Sequence, residues 1–421
     1  MESTGRVRWA LIAWLFVLSA VAYLDRVNIS IAGKMIAQEY GLSNQQLGWV
    51  FSAFVLGYAL FQAPSGRLAD RLGPRKTLTF AVTWWAIFSA LSAAPFAVAY
   101  ALPLLMLVRF ALGAGEAVVY PASNRIVAKW IPVSERGLAN GLIFMGVGVG
   151  AGVTPPLVTS IMLQYGWRAS FMVCALIGLV AGAVWLLIAR DSPDTHPWVS
   201  AREREHIRAG IPASASAPPL SWRAIVASRN VRLLTISYFC YGYSAYIFFT
   251  WFFIYLSTVR GMDLRESAVY GMLPFIAMAI GSLFGGFLND RLSTRYGRRV
   301  GRCGVAAVGI GLAAVFIALG TQVESARIAS IILAGGAGSL YLAQSSFWSV
   351  SADIAGSSAG AVSGIMNMGA QVGGVVTASL TPWLADQFNW GMSFQVAAAL
   401  CVVGAAAWMA VRPEEEIAQF A

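Results

Sequence analysis

Charge is what this chain has least of. Only 11% of its 421 residues are Asp, Glu, Lys or Arg, while 58% are hydrophobic and the mean hydropathy is +0.67. A soluble domain keeps about 25% of its residues charged, so this composition excludes a dry core inside a wet surface. Histidine is scarcer still. His196 and His206 are the only two and both lie in one polar segment, which leaves no imidazole for a proton relay inside an apolar region. The four cysteines, Cys174, Cys240, Cys303 and Cys401, stand singly in or beside different apolar runs, so neither a disulfide framework nor a metal site is indicated. Each reads as a small core hydrophobe. No nucleotide-binding glycine loop, nucleophile motif or metal-ligand cluster is present, which argues against an enzyme, a resident cofactor and ATP-driven work by this chain alone. A cleavable leader is not expected. The first apolar run is too long, no small-x-small site follows it, and the next run begins soon after.

What the chain has in abundance is long apolar runs. They fall at about 9–32, 46–66, 77–98, 101–122, 137–160 and 168–189, then at 232–257, 267–288, 303–320, 327–349, 358–381 and 391–411. Each is near the ~20 residues a bilayer requires. The runs are continuously apolar rather than alternating, so they predict helices and not barrel strands. The expected fold class is an all-α polytopic membrane protein of twelve transmembrane helices in two six-helix bundles, numbered 1 to 12 in chain order. The expected domains are an N-terminal half over 1–189, a linker over 190–229 and a C-terminal half over 230–421. The linker carries Ser192-Pro193, the Ser214 to Pro219 cluster and the charged run Arg202 to His206, part of which reads as a surface helix.

The net charge of +10 and pI near 9.7 would suggest nucleic acid in a soluble chain. Here the placement of the charges explains them instead. Of the 29 Lys and Arg, only Lys34, Arg168, Arg260, Arg265 and Arg327 fall in the loops opposite the N-terminus, and Arg26 and Arg109 fall inside helices. The rest share the side of both termini and the linker, so the positive-inside rule puts both termini in the cytoplasm. The expectation is a multi-pass protein of the inner (plasma) membrane, a monomer among lipid, with no nucleic-acid partner.

An internal repeat supports six plus six. Gly66, Asp70, Arg71, Gly73, Arg75 and Lys76 stand between helices 2 and 3. Between helices 8 and 9, 220 positions on, stand Gly286, Asp290 and Arg291, followed by Gly297, Arg298 and Arg299. Two like halves imply a site at the interface between them. The loop pattern resembles the signature of the major facilitator superfamily. More narrowly, Tyr23-Leu-Asp25-Arg26-Val-Asn28, the run Arg109 to Glu116 continuing through Pro121 and Trp130 to Glu135-Arg136-Gly137, and Phe249-Thr-Trp251 resemble the anion:cation symporter family. That family includes bacterial galactonate, hexuronate and glucarate transporters and is related to vesicular glutamate transporters and sialin. The resemblance covers nearly the whole chain.

The residues then suggest a chemistry. Asp25 and Arg26 lie inside the first apolar run, where a charge costs roughly 2.5–3.5 kcal/mol on insertion scales. Arg109 and Glu116 are seven residues apart, which puts them on one helix face about 10 Å apart along the axis. Arg26 and Arg109 both lie about 8–10 Å below the outer ends of their helices, level enough to bracket one small anion. Arginine offers a permanent charge and a planar fork for carboxylate, whereas Asp25 and Glu116 can be neutralised by a proton. The expected roles are therefore proton coupling for Asp25 and Glu116 and anion binding for Arg26 and Arg109, with the proton as the coupling ion. The alternative is that these are structural pairs locking helices.

Tyr23, Tyr58, Tyr243, Tyr246, Ser345, Ser346, Trp348, Asn367 and Gln371 are candidates to contact the rest of a substrate. The resemblance aligns Tyr58, Ser345, Trp348 and Asn367 with sugar-acid contacts, and it implies that the Asp25-Arg26 pair and Glu116 serve proton coupling and anion binding. Helix 5 departs from the sugar-acid members with Gly146 in place of a glutamine, which argues against galactonate itself. Gly66, Asp70, Arg71, Arg75, Asp290 and Arg291 are expected to gate, the carboxylates acting as a cytoplasmic latch, or else only to set topology. The glycines of helices 5 and 11 suit either sliding or tight static packing.

The function expected is a secondary transporter importing a small organic anion, a sugar acid or other carboxylate, by proton symport through alternating access. The alternatives are an aromatic-acid or dicarboxylate symporter and an anion exchanger or exporter. A non-transporting sensor would need an output domain larger than the linker.

Overall fold

Apolar segments in hydrocarbon must bond their own N–H and C=O groups, and every long run here closes into a helix. The structure is a computed structural model. It describes residues 6–132, 136–210, 221–355, 359–415 and 417, apart from the side chains of residues 63, 66, 67, 70, 71, 124, 128, 136–138, 140, 290, 352, 353, 355 and 359–361. The first six long helices are α1 (Val7–Tyr40), α2 (Asn44–Leu72), α3 (Pro74–Ser92), α4 (Val98–Glu116, continued as Val119–Trp130), α5 (Arg136–Tyr165) and α6 (Trp167–Ile188). The second six are α7 (Arg229–Thr250, continued by Phe252–Ile254 and Tyr255–Val259), α8 (Leu264–Tyr296), α9 (Arg299–Gly304 with Val305–Gly320), α10 (Ala326–Leu342 with Gln344–Ala355), α11 (Ala359–Gln387) and α12 (Trp390–Ala410).

Eight of these are long and apolar enough to cross a membrane among the described residues, and nine if α7, bent by 49°, is counted as one span. The other three, α2, α3 and α11, are no shorter than the bilayer requires. They are rich in Gly, Ser, Thr, Trp and Gln, which weigh little on a hydropathy scale.

The repeat seen in the sequence is also a repeat of packing. In the first six helices α1 lies on α5, α2 on α4 and α3 on α6; in the second six, α7 lies on α11, α8 on α10 and α9 on α12. The two sets meet along α2 with α11 and α5 with α8. The equivalent loops match in backbone conformation too: Gly73 (φ 82°, ψ 147°) and Gly297 (φ 86°, ψ 162°) each precede a helix start. A side chain is strained at such φ, and a Cβ on Gly73 would stand 2.6 Å from the Asp191 carboxylate.

The glycines of α5 divide by face. Gly146 and Gly150 let α1 approach at Phe16 and Ala20, within the first six helices. Gly148 and Gly152 face Ala279 and Phe275 of α8, across the interface. On α11, Gly369, Gly373 and Gly374 pack against α7 in the same set. Static packing therefore accounts for Gly369, Gly373 and Gly374 on α11 and for Gly146 and Gly150 on α5, whereas Gly148 and Gly152 lie where the two sets face each other.

The linker is more tightly bound than a surface helix. In the segment Ala201–Gly210, Glu203 is fully buried, accepts the backbone N–H groups of Val7 and Arg8, and pairs with the Arg8 guanidinium at 3.3 Å. It caps the N-terminus of α1 with a negative charge. Asp191 does the same for α3, accepting Arg75 N–H at 2.9 Å. His196 is buried against the Trp130 ring and bonds the Ile188 carbonyl at 2.9 Å. The four cysteines are buried and free.

Candidate functional site

Between the two sets of helices lies a cavity of about 70 Å³, lined by residues of α1, α2, α4, α5, α7, α8, α10 and α11. It lies nearer the linker end of the helices. Direct hydrogen bonds join the sets at the opposite end: Ser52 Oγ meets Ser379 Oγ at 2.7 Å and donates to Val375 O, and Gln45 donates to Ser379 O. On the cavity side Asn367 Nδ2 bridges to Gln62 Oε1 at 3.1 Å.

A charged cluster built by α1 and α4 lies beside the cavity, behind its lining residues Tyr23 and Tyr246. Arg26 donates from Nη2 to Glu116 Oε2 at 3.1 Å and from Nη1 to the hydroxyls of Tyr23 (3.1 Å) and Tyr246 (3.5 Å). Its guanidinium carbon lies 4.4 to 5.0 Å from the ring centroids of Tyr23, Tyr58 and Phe54, a cage that holds the cation by quadrupole attraction without quenching its charge. Arg109 lies against the same Phe54 ring, its guanidinium carbon 4.7 Å from the centroid, and among the described residues it has no ion pair. Both arginines are buried and line one smaller space of about 10 Å³, otherwise walled mainly by Phe51, Phe54, Val55 and Phe249. The expected level placement of Arg26 and Arg109 is thus what the helices produce.

The two carboxylates differ. Glu116 sits against Arg26 with Oε1 buried and without a partner. Asp25, one residue before Arg26 and so turned about 100° round α1, faces away from the cavity. Its Oδ1 accepts from Ser89 Oγ of α3 at 2.7 Å, and Oδ2 is buried without a partner. Three residues on, Asn28 bonds Ser170 Oγ and Cys174 Sγ of α6. Asp25 belongs to a polar seam behind α1, and sequence spacing placed it beside Arg26 without showing that they open to different sides.

Of the other expected contacts, Tyr23, Tyr58, Tyr246, Trp348, Asn367 and Gln371 line the cavity. Tyr246 donates to Gln371 Oε1 at 2.7 Å. Three do not line it. Tyr243 is buried with its hydroxyl unpartnered, because the cavity face of α7 runs through Tyr238, Gly242, Ala245 and Phe249 at helical spacing and Tyr243 falls one step round. On α10 the face is Gln344 and Trp348, so Ser345 and Ser346 turn away; Ser346 accepts from Asn289 of α8, and Ser345 Oγ is buried without a partner. Residues that sequence reasoning missed include Tyr120, Phe144, Tyr238, Tyr341 and Gln344. Tyr120 was findable, four positions after Glu116 on the same face. It shares a 3.1 Å hydrogen bond with Ser19 and stacks on Phe144 at 5.0 Å, and Trp348 lies 5.6 Å from Phe144 across the interface.

Among the expected gating residues, Gly66 and the side chains of Asp70, Arg71 and Asp290 lie outside the described residues. Arg75 reaches no other half. Its side chain donates to Leu186 O of α6 at 3.0 and 2.7 Å, stapling α3 to α6. Arg291 is exposed over the Phe287 ring.

Comparison with known proteins places this architecture. The model of the Major Facilitator Superfamily matches residues 15–378 and again 291–420. A probable sulfoacetate transporter of Cupriavidus necator is 35% identical over 98% of this chain and 96% of its own length. The chloroplastic ascorbate transporter of Arabidopsis thaliana is 31% identical over 97% and 76%, and the hexuronate transporter of Bacillus subtilis 29% over 89% and 87%. The fold is that of a solved bacterial homolog of the human lysosomal transporter Spinster in an inward-facing, unoccupied conformation, with a TM-score of 0.75 at 18% identity over 97% of this chain and 98% of that one. Twelve helices in repeated packing, a cavity between the two sets and a family match over most of its length agree: the chain belongs to the Major Facilitator Superfamily, and it is a transporter and not an enzyme.

Proposed function

We propose that this transporter imports a small organic anion, a sugar acid or another carboxylate, together with a proton by alternating access across a bacterial-type inner membrane. In this reading residues 1–189 and 230–421 are the moving halves and the linker and both termini are cytoplasmic. The observation that carries it is the buried Arg26–Glu116 pair behind the Tyr23 and Tyr246 wall of the cavity, with one oxygen of Glu116 and the Nε of Arg26 unused. A substrate carboxylate competes with Glu116 for the guanidinium, and a proton on Glu116 yields the cation to the substrate. Proton and anion then load together, and the inward gradient of one drives the other.

Relatives named as a hexuronate transporter and as probable sulfoacetate, L-galactonate and galactarate/D-glucarate transporters support an anion as cargo. The aromatic lining supports a second reading of the cargo, an aromatic acid, since Tyr120, Phe144 and Trp348 form a stack on which a ring could lie. The test is purified protein in liposomes. Accumulation of a labelled sugar acid only under an inward proton gradient is expected; uptake that ignores the gradient would remove proton coupling, and accumulation of aromatic acids alone would favour the second reading.

A further inference from the structure

The described lining of the main cavity mixes neutral polar and aromatic side chains and carries no charge. Its lining holds seven tyrosines, two glutamines, one asparagine and one serine, and among the described residues no Asp, Glu, Lys or Arg. Both cations of the site lie at one end. Arg26 stands behind Tyr23 and Tyr246, and Arg109 shares with it the smaller, mainly apolar space. Every described lining residue contributed by α7, α8, α10 and α11 is neutral.

This asymmetry sets how much charge a substrate can bring. The buried cluster holds Arg26 and Arg109 beside Glu116, so one anion entering with one proton leaves the local charge unchanged. A second negative group on the far end of the same molecule would lie against hydroxyls, amides and rings. These groups donate hydrogen bonds but supply no countercharge, and a buried charge without one is strongly disfavoured. A hydroxyl at that end meets the same tyrosines and amides at no such penalty.

Building on the anion-transport reading above, we infer that the substrate carries a single negative charge, held at the Arg26 and Arg109 end, and that its far end is neutral and hydroxylated or aromatic. Dianions of the same size are rejected by charge rather than by shape.

Matched pairs test this. Gluconate and glucarate differ only in a terminal CH2OH or carboxylate, and so do isethionate and sulfoacetate. Dissociation constants are measured by calorimetry or thermal shift on the full-length protein near pH 7.5, where all four acids are fully ionised. At least one pair should show the monoanion binding about a hundredfold or more tighter than its dianion, a difference readily resolved on the affinity scale. Gln344→Arg, which puts a cation on the α10 wall of the cavity, should bring that dianion to within about tenfold of the monoanion. Equal binding of both members of each pair overturns the inference, as does a folded Gln344→Arg protein that still rejects the dianion. Binding of none of the four acids overturns the small-anion reading on which the inference rests, a result distinct from equal binding.

Discussion

Arg26 and Glu116, 90 residues apart in the chain, close a salt bridge at 3.1 Å in which each partner keeps a buried polar atom unused: Nε of Arg26 and Oε1 of Glu116. A pair built only to lock two helices would gain from saturating those atoms, since an unsatisfied buried polar group costs about 1–3 kcal/mol. Spare capacity on both sides is what a competing anion and an arriving proton require. In the proposed function these two atoms are where the competing anion and the proton engage.

Glu116→Gln separates the two. The amide still accepts from Arg26 but cannot take up or release a proton. Gradient-driven accumulation is expected to fall at least about tenfold, while exchange of labelled for unlabelled substrate at equal pH stays within about threefold of wild type. Arg26→Lys should cut substrate affinity ten- to a hundredfold, because an ammonium loses the fork and the hydroxyl contacts that hold it between Tyr23 and Tyr246. Accumulation at wild-type levels in Glu116→Gln would end the proposed role for that residue.

Much of this was legible in the sequence, and the gaps have one cause. The twelve helices follow from runs of apolar residues because hydrocarbon enforces intrahelical bonding whatever the neighbours are. The pairing of Arg26 with Arg109 follows from their depth, which counts residues from the helix ends. Which way a side chain faces depends on neighbouring helices and is not carried by depth. Tyr243, Ser345 and Ser346 share the depth of true lining residues but fall on the wrong side of α7 and α10, and Asp25 points behind α1. The same holds for Glu203, which looks like one more charge in a solvated run until α1 is laid across it.

Asp25 offers a second, independent check. Ser89 supplies its single hydrogen bond in a seam that the main cavity does not reach. Asp25→Asn is expected to abolish gradient-driven accumulation while leaving the dissociation constant of the substrate within about threefold, since Asp25 touches neither arginine's open side. Ser89→Ala should have a milder effect of the same kind, lowering accumulation a few-fold by removing one hydrogen bond, worth about 1.5–3 kcal/mol to a charged acceptor. A large change in binding in either variant would place Asp25 in the substrate site instead.

The linker predicts a stability effect with no change in coupling. Removing the Glu203 side chain takes one carboxylate from the Arg8 guanidinium and leaves two N–H groups of α1 without their cap. Glu203→Ala is expected to destabilise the protein by about 1–2 kcal/mol, the scale for losing a helix cap, and to lower the melting temperature in detergent by a few degrees. The ratio of accumulation with and without a proton gradient should stay at the wild-type value. An unchanged melting temperature would mean that the linker does not secure α1.

Ser52 and Ser379 test alternating access directly. Their hydroxyls meet at 2.7 Å where α2 and α11 join the halves at the end away from the linker. Cysteines at both positions would bring their sulfurs close to disulfide distance, ~2.05 Å, with little backbone movement. The native cysteines are all buried, so oxidation should act on the introduced pair. If that end must open to admit substrate, the cross-linked protein takes up none, and a reductant restores uptake. The single variants Ser52→Cys and Ser379→Cys control for loss of the hydrogen bond and should retain most activity. If the linker side alone still admits substrate, the locked protein should bind it with near wild-type affinity in detergent. Undiminished uptake by protein shown to be cross-linked would mean that the Ser52–Ser379 contact never parts during transport, and the opening would have to lie elsewhere.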